Sequence, residues 1–322
     1  MKKQRFNGPM GHWMLQHLAL RRSMGYIYRG AEYGLDAFDQ FLREYFPDCK
    51  TITRLMVTEY LDSTRHLQPL SRQGHVSIVR QFCRFMFQYD TKTYIPEKGL
   101  IGAGKVQVKP HIYTVEEITQ VMQQAMKLTV KANKILAETY VVIIGLLWVT
   151  GMRIGEVVRL KVQDIDVSRG ILYVRQTKFY KSRAIPLLPS STRRLLEYLA
   201  LRAKLGYANE SNAPLFINSR GKPCTISTTP KTLKVLIRRA GLITREGTIP
   251  RVHDVRHSFA TRWLMDIYRS GRDPNIYLPV LATYMGHANI ANTQVYLHPT
   301  VELLATAGET LRSRIHAKRG EA

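Results

Sequence analysis

A segment rich in helix-breaking residues divides this chain into two regions, each with its own hydrophobic pattern. Between residues 96 and 112 the breakers are Pro96, Gly99, Gly102, Gly104 and Pro110. Because proline and glycine interrupt regular structure, this composition predicts an extended connection. A chain of 322 residues also suffices for two domains with cores of their own. We therefore predict a first domain over residues 1–95, a linker over 96–112, a second domain over 113–299 and a tail over 300–322.

The first region has the three- and four-residue spacing of amphipathic helices. The apolar positions are Ala31, Tyr33, Leu35, Phe38, Phe41, Leu42, Leu55, Val57, Tyr60, Leu61, Val76, Val79, Phe82, Phe85 and Met86. Pro47, Pro69 and residues 71–74 separate them into runs. The pattern predicts a bundle of about four helices. It favours core positions for the aromatic side chains over surfaces on which bases stack.

The second region begins with Thr114-Val115-Glu116-Glu117, a capping box that predicts a helix start. An apolar run over 140–148 predicts a buried helix ending near Gly151, and a short helix is expected over 154–160. The period then changes to two, so that residues 171–175 and 183–187 predict a β-hairpin around a basic turn. Further helices are predicted over 189–204, 229–240, 253–268, 275–284, 289–296 and 300–314. The predicted fold class is mainly α with a small β-hairpin or sheet (α+β).

The charge of the chain is its strongest compositional feature. Lys and Arg number 48 against 24 acidic residues, a formal net charge of +24. Both regions carry the excess, which favours a long polyanion bound along the surface over a basic targeting tail. Lys98, Lys105 and Lys109 make the linker basic, so it is suited to follow a DNA backbone.

The cysteines and apolar runs indicate the cellular compartment of the protein. Cys49, Cys83 and Cys224 are widely spaced and odd in number, which predicts a reducing interior without disulfides or a zinc ribbon. No signal-peptide pattern is recognisable, and the apolar run over 140–148 is too short to span a bilayer. We expect a cytoplasmic, nucleoid-associated protein with no membrane partner.

One tyrosine stands in a context that can make it a nucleophile. In MGHANIANTQVYLH (residues 285–298), His287 precedes Tyr296 by nine residues. A phenol is a poor nucleophile unless its target is held and the developing charge is stabilised. For a DNA phosphate that task favours arginines, which bind phosphate through two nitrogens, together with a proton donor for the departing oxygen. Arg153, Lys178, His253 and Arg256 are the candidates.

Each candidate by itself has a simpler interpretation. Arg153 could form a surface ion pair with Glu156, a lysine in a turn is usually only solvated, and Tyr296 could be a core aromatic. His253 and His257 have the spacing of half a zinc site, but no further ligands accompany them, so we expect no metal. The ordered combination is what indicates a reaction.

That combination resembles the tyrosine recombinase (phage integrase) family over nearly the whole chain. The motifs that carry the resemblance are TGMRIGE (150–156), TKFYKSRAIPL (177–187), HDVRHSFAT (253–261) and MGHANIANTQVYLH (285–298). The resemblance implies a helical core-binding domain followed by a catalytic domain. More narrowly, the chain resembles recombinases that are encoded on transposons. Few residues precede the predicted bundle, so an additional N-terminal DNA-binding domain is not expected.

The resemblance also implies a role for each site residue. Arg153 and Arg256 would clamp the scissile phosphate, with His287 hydrogen-bonded to it. Lys178 would be the general acid for the 5′ hydroxyl, with Lys181 as the alternative, and His253 would assist as acid or base. Tyr296 would form a 3′-phosphotyrosyl bond, and Glu156 would support the site from behind. Further DNA contacts are expected from Lys98, Lys105, Lys109, Lys181 and Arg183. No cofactor is implied.

The implied function is site-specific recombination of double-stranded DNA by a tetramer on two duplexes. A monomer in the absence of DNA and accessory recombinases as further partners both stay open. The tail over 300–322 would dock on a neighbouring protomer or, alternatively, on its own domain. Three alternatives stand beside this function: a type IB topoisomerase or telomere-resolving enzyme, a non-catalytic DNA-binding regulator with the same fold, and a metal-dependent nuclease.

Overall fold

The described residues form two compact units. The computed structural model describes residues 5–26, 28–101, 109–128, 135–175 and 182–286, together with Asn289 and Thr293. The division between the units falls after residue 108, within the segment predicted to be the linker. Each unit has a buried hydrophobic cluster of its own, and the second unit adds a smaller one.

The first unit is built from four helices, as the sequence predicts. They are α1 (Gly11–Ser23), α2 (Arg29–Tyr45), α3 (Arg54–Ser63) and α4 (Pro69–Met86). Phe38, Phe82 and Phe85 are buried in its core. Tyr33 and Leu55, which belong to the same apolar pattern, are instead exposed. The Tyr33 ring lies against the Arg5 guanidinium at 4.6 Å, so it covers a cation at the surface.

The chain that follows α4 remains attached to the first unit as far as residue 101. The Tyr94 amide donates a hydrogen bond to the Ile52 carbonyl at 2.8 Å. Arg80 donates through Nε to the Pro96 carbonyl at 2.6 Å. Leu100 and Ile101 pack against the core of the first unit. Residues 96–101 of the predicted linker are therefore held on the first unit by side-chain packing and by the hydrogen bond from Arg80 to the backbone.

Two helices form the centre of the second unit. Helix α5 (Val115–Met126) begins at the predicted capping box: the Glu117 amide donates to Thr114 Oγ1 at 3.2 Å. Helix α6 (Ile135–Thr150) is apolar on nearly every face, because α5, α8 and α10 all contact it. The short helix α7 (Ile154–Val157) ends three residues earlier than predicted.

A small antiparallel sheet follows α7. Its strands are β1 (Ile165–Asp166), β2 (Ile171–Val174) and β3 (Arg183–Pro186), in the order β1-β2-β3. Leu172 pairs with Ile185, and both side chains point into the core. The hairpin of β2 and β3 was predicted, whereas β1 has too few residues for a recognisable alternation of its own.

Helices complete the second unit. They are α8 (Pro189–Lys204), α9 (Thr229–Arg239), α10 (Asp254–Arg269) and α11 (Pro274–Met285). Each lies within about one residue of its predicted range, because prolines, polar caps and glycines mark the ends. The predicted helices over 289–296 and 300–314 lie outside the described residues, apart from Asn289 and Thr293. The fold is mainly helical with a three-stranded sheet, which confirms the predicted class. No helix within the described ranges is long and apolar enough to cross a membrane.

Candidate active site

The first candidate arginine lies in a sharp turn between α6 and α7. Gly151 follows the last residue of α6 with a φ of +59°. A Cβ at this position would lie 2.4 Å from the Phe259 ring, so both the turn and the packing require glycine. The turn places Arg153 immediately before α7, where its amide donates to Glu156 Oε2 at 2.9 Å.

Glu156 is a buried carboxylate that four nitrogen–oxygen hydrogen bonds hold in place. Arg153 donates from its amide and, at 3.0 Å, from Nη1. Arg183 on β3 donates through Nη1 at 3.2 Å and through Nη2 at 2.8 Å, one bond to each carboxylate oxygen. Burial alone would raise the pKa of the Glu156 carboxyl, but Arg183 and then Arg153 outweigh it and lower the pKa below its ordinary value. Glu156 is therefore an ionised support and not a proton donor.

The second candidate arginine lies at the centre of the unit. Arg256 on α10 is almost fully buried. Its Nη1 donates to the Gly151 carbonyl at 2.7 Å, and its Nη2 donates to the Met285 carbonyl at 2.7 Å. It therefore joins the turn after α6 to the last residue of α11.

Both arginines meet at the end of α11. Arg153 donates through Nη1 to the Gly286 carbonyl at 3.2 Å, and Arg256 binds the carbonyl of the preceding residue. Residues 153 and 256 are far apart in the chain, but the fold brings their guanidinium groups to two consecutive peptide units. The Arg153 side chain is 39% exposed and Arg256 is buried. Solvent therefore reaches Arg153 but not Arg256.

His253 lies one helical turn before Arg256. It is the residue immediately before α10, the Arg256 amide donates to its carbonyl at 3.1 Å, and its ring centroid is 5.0 Å from that of His257. Partial burial and then the charges of Arg256, Arg251 and Arg153, against an opposing effect of Asp254, lower the pKa of His253. A neutral imidazole in this position can accept a proton or pass one on near neutral pH.

The charges of the described groups leave this region strongly cationic. The guanidinium groups of Arg153 and Arg183 bind the Glu156 carboxylate, and the guanidinium of Arg256 binds the Gly151 and Met285 carbonyls. Fixed arginines in a partly buried pocket stabilise an anion better than mobile surface lysines, because they need no reorganisation when charge develops. The arrangement suits a phosphate diester whose negative charge increases during reaction.

The other predicted site residues fall in two groups. Lys105, Lys178, Lys181, His287 and Tyr296 lie outside the described residues. Lys98 is exposed in the first unit and Lys109 is exposed in the second. Among the described residues, no group of three or more His, Cys, Asp or Glu side chains could hold a metal ion.

Arg183 is not placed as a surface contact for DNA would be. The resemblance predicts a DNA contact for Arg183, but its side chain is only 10% exposed and is paired with Glu156. The two residues are 27 positions apart and belong to different elements. No local pattern marks such a pair, because only the packing of β3 against α7 brings the charges together.

Comparison with known proteins identifies the family. Residues 112–302 match the phage integrase family. The chain is 32% identical to "Putative integrase/recombinase y4rB" of Sinorhizobium fredii, over 93% of this chain and 96% of that protein. It is 31% identical to the tyrosine recombinase XerD of Oceanobacillus iheyensis, over 70% of each. The chain belongs to the phage integrase family of tyrosine-type site-specific DNA recombinases.

Solved structures share the fold of this chain. The Tn1549 transposon integrase, solved in complex with transposon right-end DNA, matches with a TM-score of 0.64 at 17% identity, over 93% of this chain and 99% of that chain. The lambda integrase tetramer, solved on a Holliday junction, matches with a TM-score of 0.61 at 19% identity, over 91% of this chain and 78% of that one.

Proposed function

We propose that this protein cleaves and rejoins DNA strands at specific sites through a 3′-phosphotyrosyl intermediate on Tyr296. The observation that carries the proposal is the convergence of Arg153 and Arg256 on consecutive carbonyls at the end of α11, with His253 one helical turn before Arg256. Gly286, whose carbonyl binds Arg153, directly precedes His287, and Tyr296 follows nine residues later. The end of α11, which both arginines bind, is therefore followed directly in the chain by the segment that contains the proposed nucleophile.

The proposed reaction is a transfer of one phosphodiester bond. The Tyr296 oxygen bonds to the scissile phosphorus, and the bond from phosphorus to the 5′ oxygen breaks. Arg153 and Arg256 stabilise the extra negative charge of the transition state, and Lys178 protonates the departing 5′ oxygen. His253 assists the proton transfers, and His287 donates a hydrogen bond to the phosphate. A 5′ hydroxyl from another strand then displaces Tyr296 in the reverse sense. The phosphotyrosyl link conserves the bond, so the exchange needs no nucleotide triphosphate.

The proposed assembly is a tetramer on two DNA duplexes. Two observations support it: the family to which the chain belongs and its likeness in fold to the lambda integrase tetramer solved on a Holliday junction. In this proposal the first domain, residues 1–95, binds the DNA core site, the linker over 96–112 follows the backbone, and residues 113–299 carry out the reaction. The tail over 300–322 docks on a neighbouring protomer. Accessory recombinases would be further partners, and the protein would act at the nucleoid.

The experiment that tests the function traps the covalent intermediate. Nicked duplexes from the DNA flanking the gene release a short strand after cleavage, so that religation fails and the adduct accumulates. The wild-type protein should form an SDS-resistant protein–DNA band, and Tyr296→Phe should bind the same DNA but form no band. A band in the Tyr296→Phe variant would exclude Tyr296 as the nucleophile. Absence of a band from the wild type on every duplex, with binding intact, would indicate a non-catalytic regulator.

Supercoiled plasmids distinguish the remaining alternatives. A topoisomerase relaxes any plasmid, whereas the proposed recombinase should act only on plasmids that contain the cleaved sequence. Two copies of that sequence should yield recombined products. Relaxation without dependence on sequence would favour the topoisomerase, and cleavage that stops in EDTA would favour a metal-dependent nuclease.

A further inference from the structure

Arg183 occupies the junction between the hairpin and the rest of the site. It is the first residue of β3, and it pairs with Val174, the last residue of β2. The segment that joins the two strands includes Lys178, the proposed general acid. Arg183 is therefore the residue at which the chain re-enters the sheet after that segment.

The contacts of Arg183 join three segments of the site. The two terminal nitrogens of its guanidinium donate to the two carboxylate oxygens of Glu156 on α7, at 3.2 and 2.8 Å. A Cβ added at Gly286 would lie 2.6 Å from Arg183 Nη1, so the guanidinium lies directly against the end of α11. Glu156 in turn binds Arg153 through its amide and its guanidinium. Arg183 thus contacts α7 and α11 at the residues that also hold Arg153.

This geometry does not suit a direct contact with DNA. Two of the guanidinium nitrogens already donate to Glu156, and little of the side chain reaches solvent. Moving it to a phosphate would leave the Glu156 carboxylate buried with one charged partner among the described residues, which is costly. Arg183 can therefore affect DNA cleavage only through the groups that it holds.

We propose that Arg183 is a positioning residue for strand cleavage, which fixes β3 to Glu156 and, through Glu156, orients Arg153. The inference rests on the proposed function, because it assigns Arg183 to that same reaction. Charge stabilisation by Arg153 requires its guanidinium to be held in a fixed position at the phosphate. The buried ion pair of Arg183 with Glu156 holds the carboxylate that orients Arg153.

Loss of Arg183 should change the pH dependence of cleavage, which a general loss of stability would not do. Without Arg183, burial still raises the pKa of the Glu156 carboxyl, and Arg153 is the charged group left to oppose it among the described residues. The pKa of Glu156 then rises. Protonated Glu156 would lose one acceptor for Arg153, so cleavage should decline as the pH falls.

The test compares Arg183→Gln and Arg183→Lys with the wild type in single-turnover cleavage of nicked duplexes at saturating protein. We expect both variants to bind DNA with wild-type affinity and to form the Tyr296 adduct about 10- to 100-fold more slowly, the loss typical of a small misplacement of reacting groups. Lysine keeps the charge but lacks the fork that binds both carboxylate oxygens, so it should not restore the rate. The Gln variant should also show a new loss of rate at acidic pH, which Glu156→Gln in the same background removes.

Arg175→Gln is the matched control. Arg175 belongs to the same hairpin and pairs with Asp164 at 2.8 Å, so the variant loses the same charge without touching Glu156. It should cleave at the wild-type rate. Full activity of Arg183→Lys would reduce the role to charge, and weaker binding with an unchanged rate would make Arg183 a DNA contact; either result overturns the proposal. Equal cleavage by the wild type and Arg183→Gln would also overturn it. Failure of the wild type to form any adduct would instead count against the proposed function.

Discussion

Two buried ionisable side chains, Glu156 and His17, accommodate burial in opposite ways. Glu156 stays charged because two arginines donate to it. His17 is buried among the rings of Tyr28, Phe82 and Phe85, and neither ring nitrogen has a hydrogen-bond partner among the described residues. Burial, with a smaller contribution from the Arg21 charge, lowers the pKa of His17 to about 4. We therefore expect Glu156 to organise the site and His17 to make the stability of the first unit sensitive to acid.

The lowered pKa of His17 predicts how the stability of the first unit depends on pH. The unfolded state binds the proton near pH 6.5 and the folded state only near pH 4. The folded state is therefore fully stable above pH 6.5 and loses stability as the pH falls toward 4. Between pH 7.5 and 5 the wild type should lose about 2 kcal/mol of unfolding free energy from this group. Urea denaturation at several pH values measures the loss.

The His17→Leu variant should lack this component of the acid loss. His66→Gln is the control, because it removes an exposed histidine from the same unit. An equal loss of stability in the wild type and in His17→Leu would show that other groups account for the acid sensitivity.

At the scale of elements, the end of α11 decides where the active-site segment begins. Gly286 has a φ of +67°, which ends the helix in a left-handed residue. The two residues at this end accept hydrogen bonds from Arg256 and Arg153. The helix terminus is therefore a structural support for the arginine pair as well as a turn.

Gly286→Ala tests that support. The left-handed backbone conformation itself costs about 1–2 kcal/mol with a side chain. The new methyl group would also displace the Arg183 guanidinium, which the ion pair with Glu156 holds in place. Gly241→Ala is the matched control, since Gly241 follows α9 with a φ of +75° and has nothing within 4 Å of an added Cβ.

We expect Gly286→Ala to destabilise the protein by about 1–3 kcal/mol more than Gly241→Ala, the usual cost of overpacking. It should also slow formation of the Tyr296 adduct, and Gly241→Ala should not. Unfolding free energies and single-turnover rates measure the two effects. Equal unfolding free energies and equal cleavage rates of the two alanine variants would mean that the contact between Gly286 and Arg183 affects neither stability nor cleavage.

At the scale of the whole molecule, the formal charge of +24 is the property that most affects DNA binding. Basic residues occur in both units, and Lys98 and Lys109 are exposed on either side of the division between them. A surface of this kind binds DNA largely by displacing counterions from phosphates. Specificity has to come from other contacts, because phosphates are the same in every sequence.

This charge predicts a steep dependence of DNA affinity on salt. Between 50 and 200 mM salt the association constant should fall by about 10³ to 10⁵, as for proteins that neutralise roughly six to ten phosphates. Lys98→Gln and Lys109→Gln should each reduce the slope of log affinity against log salt by about one if each lysine binds one phosphate. Fluorescence anisotropy of a labelled duplex measures the slope. An affinity independent of salt would contradict binding along the DNA backbone.

The sequence by itself determined the elements of this protein. Pro189 marks the start of α8, Thr114 and Glu117 cap α5, and the change of period from 3.6 to two marks β2 and β3. These features are local, because capping, proline geometry and side-chain alternation act within a few residues. The family also followed from motifs that are contiguous in the chain.

Only the tertiary structure decided the partners of the charged residues. It paired Arg183 with Glu156, joined Arg153 and Arg256 at the end of α11, and attached Leu100 and Ile101 to the first core. Such contacts form between segments that are distant in the chain, so no pattern within one segment encodes them. A buried charge takes the partner that the packing of elements brings within reach, and that packing is a property of the whole fold.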